Sequence, residues 1–136
     1  MKILFFFVHP SKYHLFKHTI NHLKNEGHQV DIAIISKDVL EDLIIQEGWE
    51  YTNLFPEGRR SKKNNTFSIL WSTGINFFKT LWRLHKFTNK KKYDLFVTDD
   101  CLVITGWYRK IPNLFFIDNE ISTIPEIVFL LKFASK

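Results

Sequence analysis

Ile3-Leu4-Phe5-Phe6-Phe7-Val8 is an unbroken apolar run near the start of the chain, and it stops abruptly at His9-Pro10. A run this short with no polar alternation makes residues 2–8 a strand buried on both faces, the condition of a central strand in a parallel sheet. Helical spacing follows at once: residues 10–25 place Phe16, Ile20 and Leu23 on one face, and Gly27 is positioned to end the helix. The same alternation then repeats. Residues 29–35 read as a second strand, and 38–46 as a short helix carrying Val39, Leu40, Leu43 and Ile44 and ending at Gly48. Residues 49–54 read as a third strand, and the polar, basic stretch 56–66 as a loop. A long helix is expected over 67–88, a fourth strand over 93–98, a helix over 101–109 and a fifth strand over 113–117, with Pro125 at the start of a last helix. Strands alternating with helices predict an α/β fold with right-handed crossovers, a Rossmann-like three-layer α/β/α domain. Its expected five-stranded parallel sheet has the order 3-2-1-4-5, and a single domain spans 1–136.

Composition narrows the partners. The chain is 45% hydrophobic and 16% aromatic, too apolar for a disordered segment. Nineteen Lys and Arg against fourteen Asp and Glu give a formal charge of +5, which invites anionic ligands such as phosphates, sugar nucleotides or lipid headgroups. No zinc-finger spacing or aromatic RNA-binding signature points to nucleic acid. The lone Cys101 cannot form an intrachain disulfide or a cysteine metal site. The opening apolar run is too short for a signal peptide, and no stretch approaches the ~20 apolar residues of a spanning helix. A cytoplasmic protein is therefore expected, with peripheral contact at the inner membrane face left open.

In an open parallel sheet, ligands bind beyond the carboxyl ends of the strands. Strand one delivers His9 and, on the helix that follows, His14; strand four delivers Asp99 and Asp100; strand five delivers Asp118, Asn119 and Glu120. With the expected order these strands are neighbours, so the groups converge on one crevice. Each has a simpler reading beside the functional one: His9 as part of a tight turn, and the carboxylates as helix caps. His14, His18 and His22 share a helix face, but without a carboxylate or cysteine in the motif no metal site is expected. The turn from Val8 to His14 holds no glycine, which disfavours a dinucleotide pyrophosphate there, and no resident cofactor is expected.

The long helix has a polar stripe at Ser68, Ser72, Asn76, Lys79, Arg83 and Lys86, and a wide apolar remainder that includes Trp71, Phe78 and Trp82. Core packing accounts for part of that width. The surplus is available to a second domain, a partner or a membrane surface; with Arg59, Arg60, Lys62 and Lys63 in the loop before it, it has the Trp-plus-basic character of a peripheral membrane contact.

Three segments resemble the amino-terminal domain of GT-B glycosyltransferases and UDP-N-acetylglucosamine 2-epimerases, most of all an uncharacterised bacterial and archaeal family of that superfamily. The first is Val8-His9-Pro10-Ser11-Lys12-Tyr13-His14-Leu15-Phe16-Lys17 with Gly27-His28-Gln29-Val30 after it, similar to the family's Gly-His-Pro turn, His-Phe-Phe-Lys-like helix start and Gly-His-Glu-Val approach to strand two. The second, Phe116-Ile117-Asp118-Asn119-Glu120, resembles a Phe-Asp-Asp-Thr-Glu motif; the third, Leu131-Lys132-Phe133-Ala134-Ser135-Lys136, resembles a Phe-Ala-Asp stretch. Val8 departs from the motif's glycine, Lys12 from a common histidine and Asn119 from a threonine.

The resemblance implies the acceptor-side half of an enzyme acting on a sugar nucleotide in polysaccharide or glycoconjugate synthesis. A carboxy-terminal donor-binding domain would be supplied by the rest of a longer protein or by a partner subunit. His14, Asp118 and Glu120 are then the catalytic candidates, one of the carboxylates acting as general base on an acceptor hydroxyl, and His9, Asp99, Asp100 and Asn119 are substrate-binding candidates. A sugar-nucleotide epimerase needs similar groups. A noncatalytic binding or membrane-docking subunit of a split transferase is the rival of a different class.

Overall fold

The computed structural model describes residues 1–35, 39–56, 66–117 and 129–134, with the backbone alone over 66–73. The elements run β1 (Lys2–Phe7), α1 (Pro10–Asn25), β2 (Gln29–Ile34), α2 (Leu40–Gln46), β3 (Thr52–Asn53), α3 (Thr66–Asn89), β4 (Leu95–Thr98), α4 (Leu102–Arg109) and β5 (Asn113–Phe115). All strand pairs are parallel, and the order is β3-β2-β1-β4-β5. The Rossmann-like fold class and strand order are those expected from the sequence.

β1 is the central strand, with Phe5 opposite Ile32 on one side and Val97 on the other. The apolar run divides by the two-residue period of a strand. Ile3, Phe5 and Phe7 point into a core with Tyr13, Phe16, Ile20, Leu40 and Ile44, beneath α1 and α2. Leu4 and Phe6 enter the opposite core with Leu84, Phe96, Leu102 and Val103, beneath α3 and α4. The three phenylalanines are at most 1% exposed. At roughly 1.5–3 kcal/mol for each such side chain removed from water, β1 is the main adhesive between the layers.

The helix stops are local. Gly27 sits at φ 81°, and the N–H of His28 reaches back to the Leu23 carbonyl at 3.0 Å, the left-handed closure a glycine accepts without strain. Gly48 ends α2 in the same way at φ 72°. α4 ends on Lys110, a non-glycine residue at φ 56°.

Two expectations about detail are corrected. The third strand shrinks to Thr52–Asn53, because Trp49 turns under α1, where its indole N–H donates to Asn21 Oδ1 at 2.9 Å. The Tyr51 hydroxyl likewise leaves the strand for Glu41, donating to Oε1 at 2.8 Å. In α3, Arg83 does not belong to a solvated stripe: its guanidinium lies 4.1 Å from the Phe55 ring centroid and donates to the Leu54 carbonyl. The inward face runs through Phe77, Thr80, Leu84 and Thr88. Both threonine hydroxyls are satisfied within the helix, Thr80 by the Asn76 carbonyl at 2.7 Å and Thr88 by that of His85 at 3.2 Å. Phe78 and Trp82 are left on the outside, 70% and 63% exposed.

Candidate functional site

The carboxyl ends of β1, β4 and β5 open on the start of α1. His9 is the N-cap, in extended backbone geometry, and its Nδ1 accepts the Ser11 N–H at 3.3 Å. Pro10 has no N–H, and the Lys12 N–H donates to the His9 carbonyl at 3.1 Å. The first amides of α1 are therefore committed within the turn or absent. The N-terminus of α1 is therefore a poor anion site by itself.

One such side chain escaped the sequence reading. Lys12 is 1% exposed, on the buried face of α1 with Tyr13, Phe16 and Ile20, and its Nζ lies 3.9 Å from Asp99 Oδ2. Asp99 follows β4, and its side chain is 14% exposed. This is an ion pair at the lip of the sheet, shielded by protein, where a charge interacts more strongly than in water. The stripe 12, 16, 20 at i, i+4, i+8 was the available signal.

The other candidates separate. His14 lies two residues beyond Lys12, about 200° around the helix at 3.6 residues per turn. Its ring is exposed and meets Tyr13 edge-on at 5.0 Å. It takes no part in the Lys12–Asp99 pair. Asp100 acts as a local brace, its carboxylate accepting the Cys101 N–H and its own N–H donating to Thr98 Oγ1 at 3.1 Å. It does not cap α4, whose N-cap is Cys101 with no side-chain cap bond. After β5, the Phe116 N–H donates to the Thr98 carbonyl at 2.9 Å, and the Phe116 ring sits edge-on to Phe16 at 4.7 Å. Phe116 thus ties the end of β5 to α1. Asp118, Asn119 and Glu120 lie outside the described residues, as do Arg59, Arg60, Lys62 and Lys63 and the side chain of Trp71. Among the described residues, no three His, Cys, Asp or Glu side chains come together as a metal site.

A polar network behind the crevice fixes the setting of α1. Glu47, just after α2, accepts from the Tyr13 hydroxyl at 2.9 Å and from Asn21 at 2.9 Å, and pairs with Lys17 at 2.6 Å. Hydrogen bonds from Lys17, then from Asn21 and Tyr13, hold its carboxyl down at about 2. At the opposite edge of the sheet, burial disfavours the charged form of Asp31, but the hydrogen bonds from Lys91 and Tyr93 outweigh it and keep the carboxyl below its usual range. These are structural braces, clear of the carboxyl edge.

No family model matches the sequence, and no curated protein is similar to it. Solved structures do share its architecture. MurG of Acinetobacter baumannii superposes with a TM-score of 0.66 at 13% identity, over 98% of this chain and 39% of that one. The glycotransferase of kitacinnamycin gives 0.56 at 19% identity, over 82% and 29%. The spinosyn rhamnosyltransferase SpnG, solved with thymidine diphosphate, gives 0.51 at 18% identity, over 83% and 33%. The chain thus spans well under half the length of these neighbours. What it shares with them is a fold, the Rossmann-like domain found in GT-B glycosyltransferases.

Proposed function

We propose that this chain is the acceptor-side domain of a glycosyltransferase that uses a sugar nucleotide, completed by a donor-binding domain in the same protein or in a partner subunit. The observation that carries the reading is the superposition of nearly the whole chain on about two-fifths of a glycosyltransferase, with polar groups gathered at the carboxyl edge of the sheet. In this reading the Lys12–Asp99 pair fixes the charge at the floor of the crevice. His14 contacts the acceptor or the donor phosphate from the rim. Asp118 or Glu120, just past the segment that Phe116 ties to α1, removes the proton from the attacking acceptor hydroxyl. Attack at the anomeric carbon breaks its bond to the nucleoside diphosphate, which leaves with the electron pair.

Calorimetry on the 136-residue chain with a panel of UDP-sugars is the first test. Binding is expected to be weak or undetectable, because in this reading the donor is held by the completing domain; micromolar affinity would overturn that division of labour. The second is transfer of labelled sugar by the complete protein or complex. His14→Ala, and Asp118→Asn combined with Glu120→Gln, should each depress turnover, the carboxylate variant by about a hundredfold or more if general-base catalysis is lost. Wild-type turnover in both would remove these residues from the mechanism.

A further inference from the structure

Away from the carboxyl edge, α3 and α4 enclose an apolar groove of about 370 Å³, lined by Phe78, Leu81, Trp82, Ile104, Trp107 and Tyr108. Four of these are large aromatics turned outward: Phe78 is 70% exposed, Trp82 63%, Trp107 60% and Tyr108 71%. The apolar surface continues past Trp107, whose ring meets Phe133 at 5.2 Å, to the exposed Phe129 and Leu131. Isolated exposed apolar residues are ordinary, but a contiguous aromatic patch of this kind marks a contact surface.

Charge identifies the occupant. There is no Asp or Glu anywhere between Gly58 and Tyr93, nor from Cys101 to Ile117, so neither wall of the groove carries a negative charge. The exposed Lys79 and Lys86 flank Trp82 on α3, at i−3 and i+4, with Lys86 Nζ 5.3 Å from the indole centroid. Lys110 stands at the end of α4 and Lys132 beside Leu131, both exposed. A symmetric contact with a second copy would press this uniformly basic face against itself, which is repulsive. An aromatic patch ringed by cations instead fits a surface that is apolar in depth and anionic at its boundary.

We propose that the α3–α4 groove is a docking surface for an anionic lipid bilayer. Trp82, Trp107 and Tyr108 enter the headgroup region, and Lys79, Lys86, Lys110 and Lys132 meet the lipid phosphates. Among the described residues no helix is long and apolar enough to cross a membrane, so the contact is one of adsorption. The crevice at the end of the sheet plays no part in it.

Co-sedimentation of the 136-residue chain with vesicles tests this directly. Vesicles of equal parts phosphatidylcholine and phosphatidylglycerol should carry the protein down at low salt and release it as salt rises, while phosphatidylcholine alone should retain little. Lys79→Gln with Lys86→Gln should weaken anionic-vesicle binding about 25-fold, at about fivefold per lysine, the equivalent of ~1 kcal/mol each. Trp82→Ser with Trp107→Ser should reduce it at least tenfold, on the order expected for withdrawing two aromatics from an apolar phase. Both tryptophans are exposed, so an unchanged circular dichroism spectrum will accompany that loss. Lys24→Gln, on the α1 layer, should bind as wild type. A chain that stays in solution at low salt, or that binds neutral vesicles equally well, overturns the proposal. So does a concentration-dependent dimer that the tryptophan variant abolishes while vesicle binding persists, since the occupant is then a second copy.

Discussion

Replacing Lys12 by methionine keeps the length of the side chain and removes its charge from the ion pair with Asp99. At the observed 3.9 Å separation and an effective dielectric of about 20, the bare attraction is about 4 kcal/mol, before the cost of desolvating both groups is subtracted. The net value of the pair is therefore small, but the loss of one member is not, because the survivor keeps its desolvation cost. With Lys12 at 2% and Asp99 at 14% side-chain exposure, a cost of about 3–5 kcal/mol is expected for either Lys12→Met or Asp99→Leu. For a domain of 136 residues, at about 2.1 cal/mol/K of unfolding entropy per residue, this lowers the melting temperature by roughly 10–17 °C. The double variant should recover most of the loss, since both charges leave together. Calorimetric melts of the four proteins give the coupling energy. A coupling below about 1 kcal/mol, or single variants melting within ~3 °C of wild type, would show that water reaches the pair and that the reasoning from burial is wrong. If the pair also serves the proposed transfer reaction, the stable double variant will fold and yet fail to turn over in the complete enzyme, separating the structural role from the functional one.

Two further outcomes follow from packing and charge. Gly106→Ala gains about 1 kcal/mol of helix propensity, but its methyl would lie 2.9 Å from Asn113 Nδ2 and 3.2 Å from both the Ile111 carbonyl oxygen and Phe96 Cδ2. Asn113 is buried and donates to the Phe133 carbonyl, so it cannot simply swing away; a net loss of about 1–2 kcal/mol is expected, and a variant melting at or above wild type would contradict the contact. Glu47 has its carboxyl lowered from the usual 4.5 to about 2, so its contribution is fully present above about 4.5 and is lost as the pH falls toward 2. Melting curves across that window should fall less steeply for Glu47→Gln than for wild type, and parallel curves would show that the Lys17–Asn21–Tyr13 cluster does not hold the charge.

The fold was legible where one residue type decides one local outcome. The apolar run at the start became the doubly buried strand Lys2–Phe7, and Gly27 and Gly48 end their helices at the positive φ that their positions announce. Prediction gave way where a side chain had two partners to choose between. Trp49 and Tyr51 have the propensity of strand residues, but hydrogen bonds to Asn21 and Glu41 draw them out of the ladder, and β3 keeps only Thr52 and Asn53. In α3 the polarity count misled because threonine can be buried once its hydroxyl bonds to its own helix, while Arg83 can hide its guanidinium on an aromatic ring. Counting hydrophobic residues put the buried face in the wrong place by part of a turn. It nevertheless identified Phe78 and Trp82 as surplus.

The site was legible as an edge and not as a constellation. Strand order alone brought His9 and Asp99 to one end of the sheet, but it did not determine which side chains turn inward. That is set by helix phase, and α1 is phased by Phe16 and Ile20, which must meet Phe5 and Phe7. Once those two are buried, position 12 is carried inward and position 14 outward, whatever residues occupy them. A lysine at position 12 then needs an anion within the protein, and the neighbour relation between β1 and β4 places Asp99 there. The pair thus follows from two facts that were each visible in the sequence, a helical stripe and a strand order, and that mean little until combined. The same phase argument bears on chemistry. His9 and Pro10 leave the first turn of α1 without a free amide for phosphate, so α1 would recognise an anion through its side chains. Removing His14 should therefore weaken anionic ligands without disturbing α1, whereas removing Lys12 alone should disturb both the helix and the ligand.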